Sequence, residues 1–175
     1  MLAFREYFHR HPSRVAWRAG PRAERKTSEM PTLTPQELKK ALAQAGFFVF
    51  RTQGDEVILA ERVRENLIMD SGVRLRGGAP LLVRVVFRAQ RGDFPGEDEA
   101  RLFERVSRLA EAARAGGFSE VERNVAPVVD PGDATRTLDT FYEITLAKEA
   151  DGLEKALEEV QFAMGLEKMA SIQPG

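Results

Sequence analysis

The chain has 175 residues, a formal net charge of −1, 43 % apolar and 30 % charged side chains, and no cysteine. That length suits one domain with a real core, and a charge near zero gives no global pull toward nucleic acid or an anionic membrane. Without cysteine there are no disulfides, no thiolate catalysis and no cysteine-ligated zinc or iron–sulfur sites, and a reducing cytoplasm is the expected location.

No apolar run approaches the roughly 20 residues that a membrane helix needs. Arginine outnumbers lysine 20 to 6, the bias of a GC-rich genome. The same bias weakens any claim that a given arginine was selected for binding.

Residues 1–30 differ from the rest. Arg5, Arg10, Arg14, Arg18, Arg22, Arg25 and Lys26 stand there against Glu6, Glu24 and Glu29, together with His9, His11 and Trp17. No apolar stretch of secretory length fits a signal peptide. The readings left open are a flexible basic extension, a transit peptide, and a tail for nucleic acid or an acidic partner. Met30 offers an alternative start.

The folded domain is expected over 31–170, with 171–175 frayed. Thr34, Pro35 and Glu37 form a capped helix start. Leu38, Ala41, Leu42 and Ala45 fall on one face of this helix, and Gly46 ends it. "FFVFRTQ" at 47–53 and "EVILAERV" at 56–63 read as strands about a Gly54-Asp55 turn. Residues 65–76 read as a third strand, with room for a bulge near Ser71-Gly72. After the "GGAP" turn, "LLVRVVFRAQ" at 81–90 is the clearest strand, rich in β-branched residues.

A single helix is expected over 97–115, with Leu102, Phe103, Val106, Leu109, Ala110 and Ala113 as its apolar stripe. "FSEVERNVAPVV" at 118–129 reads as a strand that Pro127 moves toward an edge. "DPGDATR" at 130–136 reads as a loop, and "TLDTFYEITLA" at 137–147 as an alternating strand. Asp151 and Glu154 predict a capping box for a last helix lined by Leu153, Ala156, Leu157, Val160, Ala163 and Met164. The order predicts an α+β fold, a mainly antiparallel sheet with a leading, a middle and a C-terminal helix packed on one face.

The domain body has neither histidine nor cysteine, which argues against serine–histidine and cysteine–histidine nucleophiles. Nothing singles out a pair of acids for catalysis. Asp130 and Asp133 read as turn formers before metal ligands. The expectation is a non-enzyme with no metal and no cofactor.

The informative pattern is an arginine ladder. Alternate strand residues share a face, so Val83, Val85, Phe87 and Ala89 point to the core, and Leu82, Arg84, Val86 and Arg88 point away. Arg74 and Arg76 alternate in the same style. Residues 62–91 hold seven arginines and two acids. Later strands carry acids: Glu120 and Glu122, then Asp139 and Glu143 on one face with Phe141. The ladders can neutralise each other across the sheet, each opposite-charge pair contributing roughly 0.2–1 kcal/mol. The same mixture of arginine and apolar groups also suits a protein interface or a two-fold dimer. On that reading the contact residues are Arg74, Arg76, Arg84, Val86 and Arg88. Nucleic acid is disfavoured, because the basic part of the face offers no predicted exposed aromatic for base stacking.

The opening "LTPQELKKALAQAGFFVFRTQGDEVILA" and closing "TFYEITLAKEADGLEKALEEV" resemble the type III secretion chaperone-like fold and the YbjN-type domains grouped with it, over about residues 31–168. The resemblance implies a small, dimeric, cytoplasmic bacterial protein that binds another protein and performs no chemistry. The expected function is therefore a protein-interaction module, adaptor or chaperone-like and homodimeric. The alternative is a nucleic-acid-associated protein using the basic N-terminal segment.

Overall fold

The computed structural model describes residues 32–65 and 67–171. The expectations for residues 1–30 and for the last four residues lie outside it. The described residues form a six-stranded sheet with four α-helices, an α+β fold. The elements are α1 (Pro35–Gln44), β1 (Val49–Gln53), β2 (Glu56–Arg64), β3 (Leu67–Arg76), β4 (Leu81–Gln90), α2 (Glu99–Leu109), α3 (Glu111–Ala115), β5 (Ser119–Asp130), β6 (Asp133–Ala150) and α4 (Leu153–Met164). The strand order is β1-β2-β3-β4-β6-β5, and every ladder is antiparallel.

The helices share one side of the sheet. Leu38 and Leu42 of α1, Leu102 and Val106 of α2, Ala113 of α3, and Ala156, Val160 and Ala163 of α4 join one buried cluster. With them are Val57, Leu59, Val73, Leu75, Val83, Val85, Phe87, Ala89, Tyr142, Ile144 and Leu146 from the strands. Full burial of a side chain such as Phe87 or Ile144 contributes about 2 kcal/mol. That burial is what makes strand parity reliable here, since a one-residue slip would turn the whole apolar set outward.

At the start of α1, the Thr34 hydroxyl accepts from the Glu37 N–H, and the Glu37 carboxylate accepts from the Thr34 N–H at 2.8 Å. This is the capping box read from sequence. The bulge on β3 is also present. Gly72 takes φ +76, the register shifts between Ile58 and Ala60, and the Ser71 hydroxyl donates to the Leu59 carbonyl.

Three local expectations are corrected. The helix expected over 97–115 is interrupted after Leu109. The carbonyl of Ser107, which a continuous helix would give to the Glu111 N–H, accepts instead from Arg114 Nη1 at 2.8 Å. The loop expected over 130–136 is a two-residue turn, because β5 and β6 stay paired to Asp130↔Asp133. Asp130 accepts from the Gly132 N–H and Asp133 from Thr135, so both carboxylates serve the hairpin end. The start of α4 has no side-chain cap. Gly152, at φ +93, occupies that position, which leaves Asp151 one residue too early.

The C-terminal segment is tied down through Ala170. β3 and β4 part beyond Val73↔Val85, and the vacated flank of β4 is taken by residues 168–170. The Arg88 N–H donates to the Lys168 carbonyl, and the Ala170 N–H to the Arg88 carbonyl, each at 2.8 Å. Lys168 is buried, and its ammonium donates to the carbonyls of Ala163, Met164 and Leu166 at the end of α4, where the helix dipole favours a cation. Burial lowers its pKa, with Glu61 acting weakly in the opposite sense.

Candidate protein-binding face

The side of the sheet away from the helices brings the predicted contact residues together. Register places Arg74 opposite Arg84, and Arg84 opposite Ala147. Val86 lies opposite Thr145, Arg88 opposite Glu143, and Arg76 opposite both Glu56 and Leu82. Directly opposed residues project to one side, so all five belong to this outer face.

The charges on that face are largely matched within it. Arg84 Nη1 donates to Glu56 Oε1 at 2.7 Å, and Nη2 to Glu122 Oε2 at 3.1 Å. Arg88 Nε donates to Glu143 Oε1 at 2.6 Å. Arg74 lies 3.8 Å from Glu56, and Arg76 3.8 Å from Asp55. The Arg74 Nε is buried and has no hydrogen-bond partner. Val86 is 2 % exposed. Arg84–Glu122 and Arg88–Glu143 join the basic and acidic ladders, as the first of the two sequence readings expects, whereas Arg74, Arg76 and again Arg84 meet Glu56 and Asp55, acids outside those ladders.

One acid is moved. A bulge between Glu120 and Glu122 sets Glu120 opposite Leu146 on the helix side, where it accepts from Arg114 of α3 and from Arg123. Burial by itself would raise its pKa, and the bonds to these arginines bring it below the ordinary carboxylate value. Parity alone places Glu120 and Glu122 together, because a bulge leaves no mark in the alternation.

The sequence reading also missed the aromatics. Phe48 is 61 % exposed and Phe50 42 %. Phe48 precedes Val49, which packs on the helix-side core, and its carbonyl accepts from the Ala60 N–H. The register shift between Val49 and Arg51 leaves Phe50 as the extra residue beside Arg51, itself opposite Ile58. The Arg62 guanidinium lies 5.5 Å from the Phe48 ring centre, and that of Arg51 5.8 Å from Phe50. Ile68, opposite Arg62 on β3, is 50 % exposed. The expectation that the basic part of this face carries no exposed aromatic is therefore corrected. All four residues of "FFVF" are apolar, so composition does not separate inner from outer positions, and the edge position of β1 and its bulge decide which pair stays outside. On the acidic flank, Arg88 also lies over Phe141 at 5.9 Å.

The face therefore has two regions. Its centre is an ion-paired strip across β3, β4 and β6. Its β1–β2–β3 flank carries exposed rings and arginines. Among the described residues no three His, Cys, Asp or Glu side chains gather in a way that could hold a metal ion. A surface hollow of about 470 Å³ lies on the helix side, between Phe94, Arg105, Leu109 and Glu167. Its Arg105 is held by Glu97 and lies over the Phe94 ring at 4.5 Å.

These features define an α+β protein in which, among the described residues, helices cover one face of the sheet and leave the other uncovered. Compared with protein-family models, curated proteins and solved structures, the chain has no match. No described helix is long and apolar enough to cross a membrane.

Proposed function

We propose that this protein is a non-enzymatic interaction module, adaptor or chaperone-like, that holds a protein partner against the outer face of its sheet. The observation that carries the reading is the placement of arginine–aromatic pairs on the face that no described helix covers: Arg62 with Phe48, Arg51 with Phe50, and Arg88 with Phe141. Arginine and aromatic side chains are the types enriched where protein interfaces hold most of their energy. A second copy of the chain is one such partner, since a face with both charge signs can meet itself across a two-fold axis.

The test is cross-linking of the tagged chain in its source cells, followed by mapping of the linked sites and a mass measurement of the complex by light scattering. Links are expected from the outer strands. Links confined to α2, α3 and α4 overturn the reading.

A second reading is favoured by the same exposed rings. Single-stranded nucleic acid stacks its bases on aromatic side chains beside cations, and Phe48 with Arg62 offers that pairing. It requires an affinity that falls steeply with salt. The ion-paired centre of the face and a net charge of −1 weigh against it.

A further inference from the structure

The arginines that stand out in the sequence and those with free hydrogen-bonding capacity are different residues. Arg84 and Arg88 are held by carboxylates, and Arg74 and Arg76 stand 3.8 Å from one. Among the described residues, Arg51, Arg62 and Arg64 form no ion pair, and all three are exposed. The carboxylate on their side of β3, Asp70, opposite Ala60, is turned onto the Gly72 N–H at 2.8 Å. Glu61 lies opposite Met69, with its neighbour Arg62 on the other side of the hairpin.

A guanidinium over a ring uses its flat face there and keeps its in-plane N–H fork for a carboxylate. Arg62 lies 5.5 Å from the Phe48 ring centre and opposite Ile68, and Arg51 lies 5.8 Å from that of Phe50, so both cations stand beside exposed apolar groups. We propose that the β1–β2–β3 flank of the outer face, Phe48, Phe50 and Ile68 with Arg51, Arg62 and Arg64, docks an acidic peptide segment whose carboxylates alternate with apolar side chains. The carboxylates take the guanidinium forks, and the apolar groups between them cover the rings and Ile68. β1 has five residues and a register shift. Short, bulged edges resist strand addition, so the contact runs through side chains and not through a new backbone ladder.

This inference rests on the outer face being a protein-binding surface, and it narrows that surface to one flank and one partner chemistry. It is tested on the full chain by fluorescence anisotropy with a labelled peptide of alternating glutamate and leucine, about eight residues long, the usual order of a strand. A lysine–leucine peptide of the same length and oligouridylate serve as comparisons. The glutamate peptide is expected to bind and the lysine peptide not to. The double variant Phe48→Ala/Phe50→Ala is expected to bind about tenfold more weakly. Arg62→Gln/Arg64→Gln should also weaken binding and flatten its salt dependence. Leu138→Ala, an exposed site on β6, should leave binding unchanged, and matched melting curves confirm that each variant is folded.

No binding of the glutamate peptide, equal binding of both peptides, tighter binding of oligouridylate, or equal weakening by Leu138→Ala overturns the proposal. If cross-links from cells map to the outer face and persist in the Phe48/Phe50 variant, only this narrower assignment falls. If they map to the helices, the broader reading falls with it.

Discussion

Glu159 shows how a single buried group can be held charged. It lies on α4 with almost no exposure, and its carboxylate accepts from Lys148 of β6 at 2.8 Å, with Lys155 one helical turn back at 3.4 Å. Burial pushes its pKa up, the bonds to Lys148 and Lys155 pull it down, and the balance lies below the ordinary value. The Lys148 ammonium also donates to the Gly116 carbonyl at the end of α3, so the group ties two helices to the sheet. A carboxyl whose folded pKa is depressed takes up its proton first in the unfolded chain. The stability it contributes is full above the ordinary carboxylate value and is lost as pH falls through the folded value. Urea midpoints of the natural chain and Glu159→Gln should therefore differ at neutral pH and converge in acid. A difference that stays constant with pH would refute this assignment. The sequence marks Glu159 only as a polar residue beside the apolar stripe of the last helix. Its partner is eleven residues away in the chain and on another element, so nothing local announces it.

At the scale of elements, the bulge on β3 steers the arrangement of the strands. Gly72 sits at φ +76, and a Cβ there would meet the Val86 carbonyl oxygen at 2.8 Å. Both the left-handed backbone and the close approach require glycine. Beyond the bulge β3 leaves β4, residues 168–170 take its place, and the β2–β3 hairpin runs on with Val63, Leu67, Ile68 and Met69 exposed. Gly72→Ala is expected to destabilise the protein by about 2 kcal/mol or more, read from denaturant unfolding. A change under about 0.5 kcal/mol, the scatter of neutral surface substitutions, would mean that the bulge carries no such constraint. The Ser71-Gly72 pair is legible as a bulge signal, and the strand's departure from its neighbour is not. That departure depends on the C-terminal segment, almost a hundred residues later, reaching Arg88.

Across the whole molecule, Arg84 ties strands on both sides of β4 to the middle of the sheet. From β4 it reaches Glu56 on β2 and Glu122 on β5, with β3 and β6 lying between. Glu56 is nearly buried, so removing the guanidinium leaves a carboxylate with little water to replace its partner. Breaking a buried pair by deleting one member costs about 3 kcal/mol or more, and exposed pairs much less. With Arg84 partly exposed, Arg84→Ala is expected to cost about 2 kcal/mol, with a single cooperative transition kept because one core joins the four helices to strands β1–β4 and β6. Calorimetry or coincident near- and far-ultraviolet circular dichroism checks both points. Loss below about 0.5 kcal/mol, as for an ordinary exposed pair, would show that the tie is not structural.

The alternation of apolar and polar residues along β4 and β6, the capped start of α1 and the stripes of α2 and α4 determined the α+β class and the one-sided helical layer. Those signals are local and periodic, and the cost of turning Phe87 or Ile144 into water enforces them. They also placed Arg84 and Arg88 on the outer face. Only the tertiary structure decided which arginines are matched by carboxylates, which side Glu120 takes, and that Phe48 and Phe50 stand outside. Charge pairing joins residues tens of positions apart, and a bulge inverts parity without altering composition. An edge strand leaves exposed the apolar side chains that a central strand would bury.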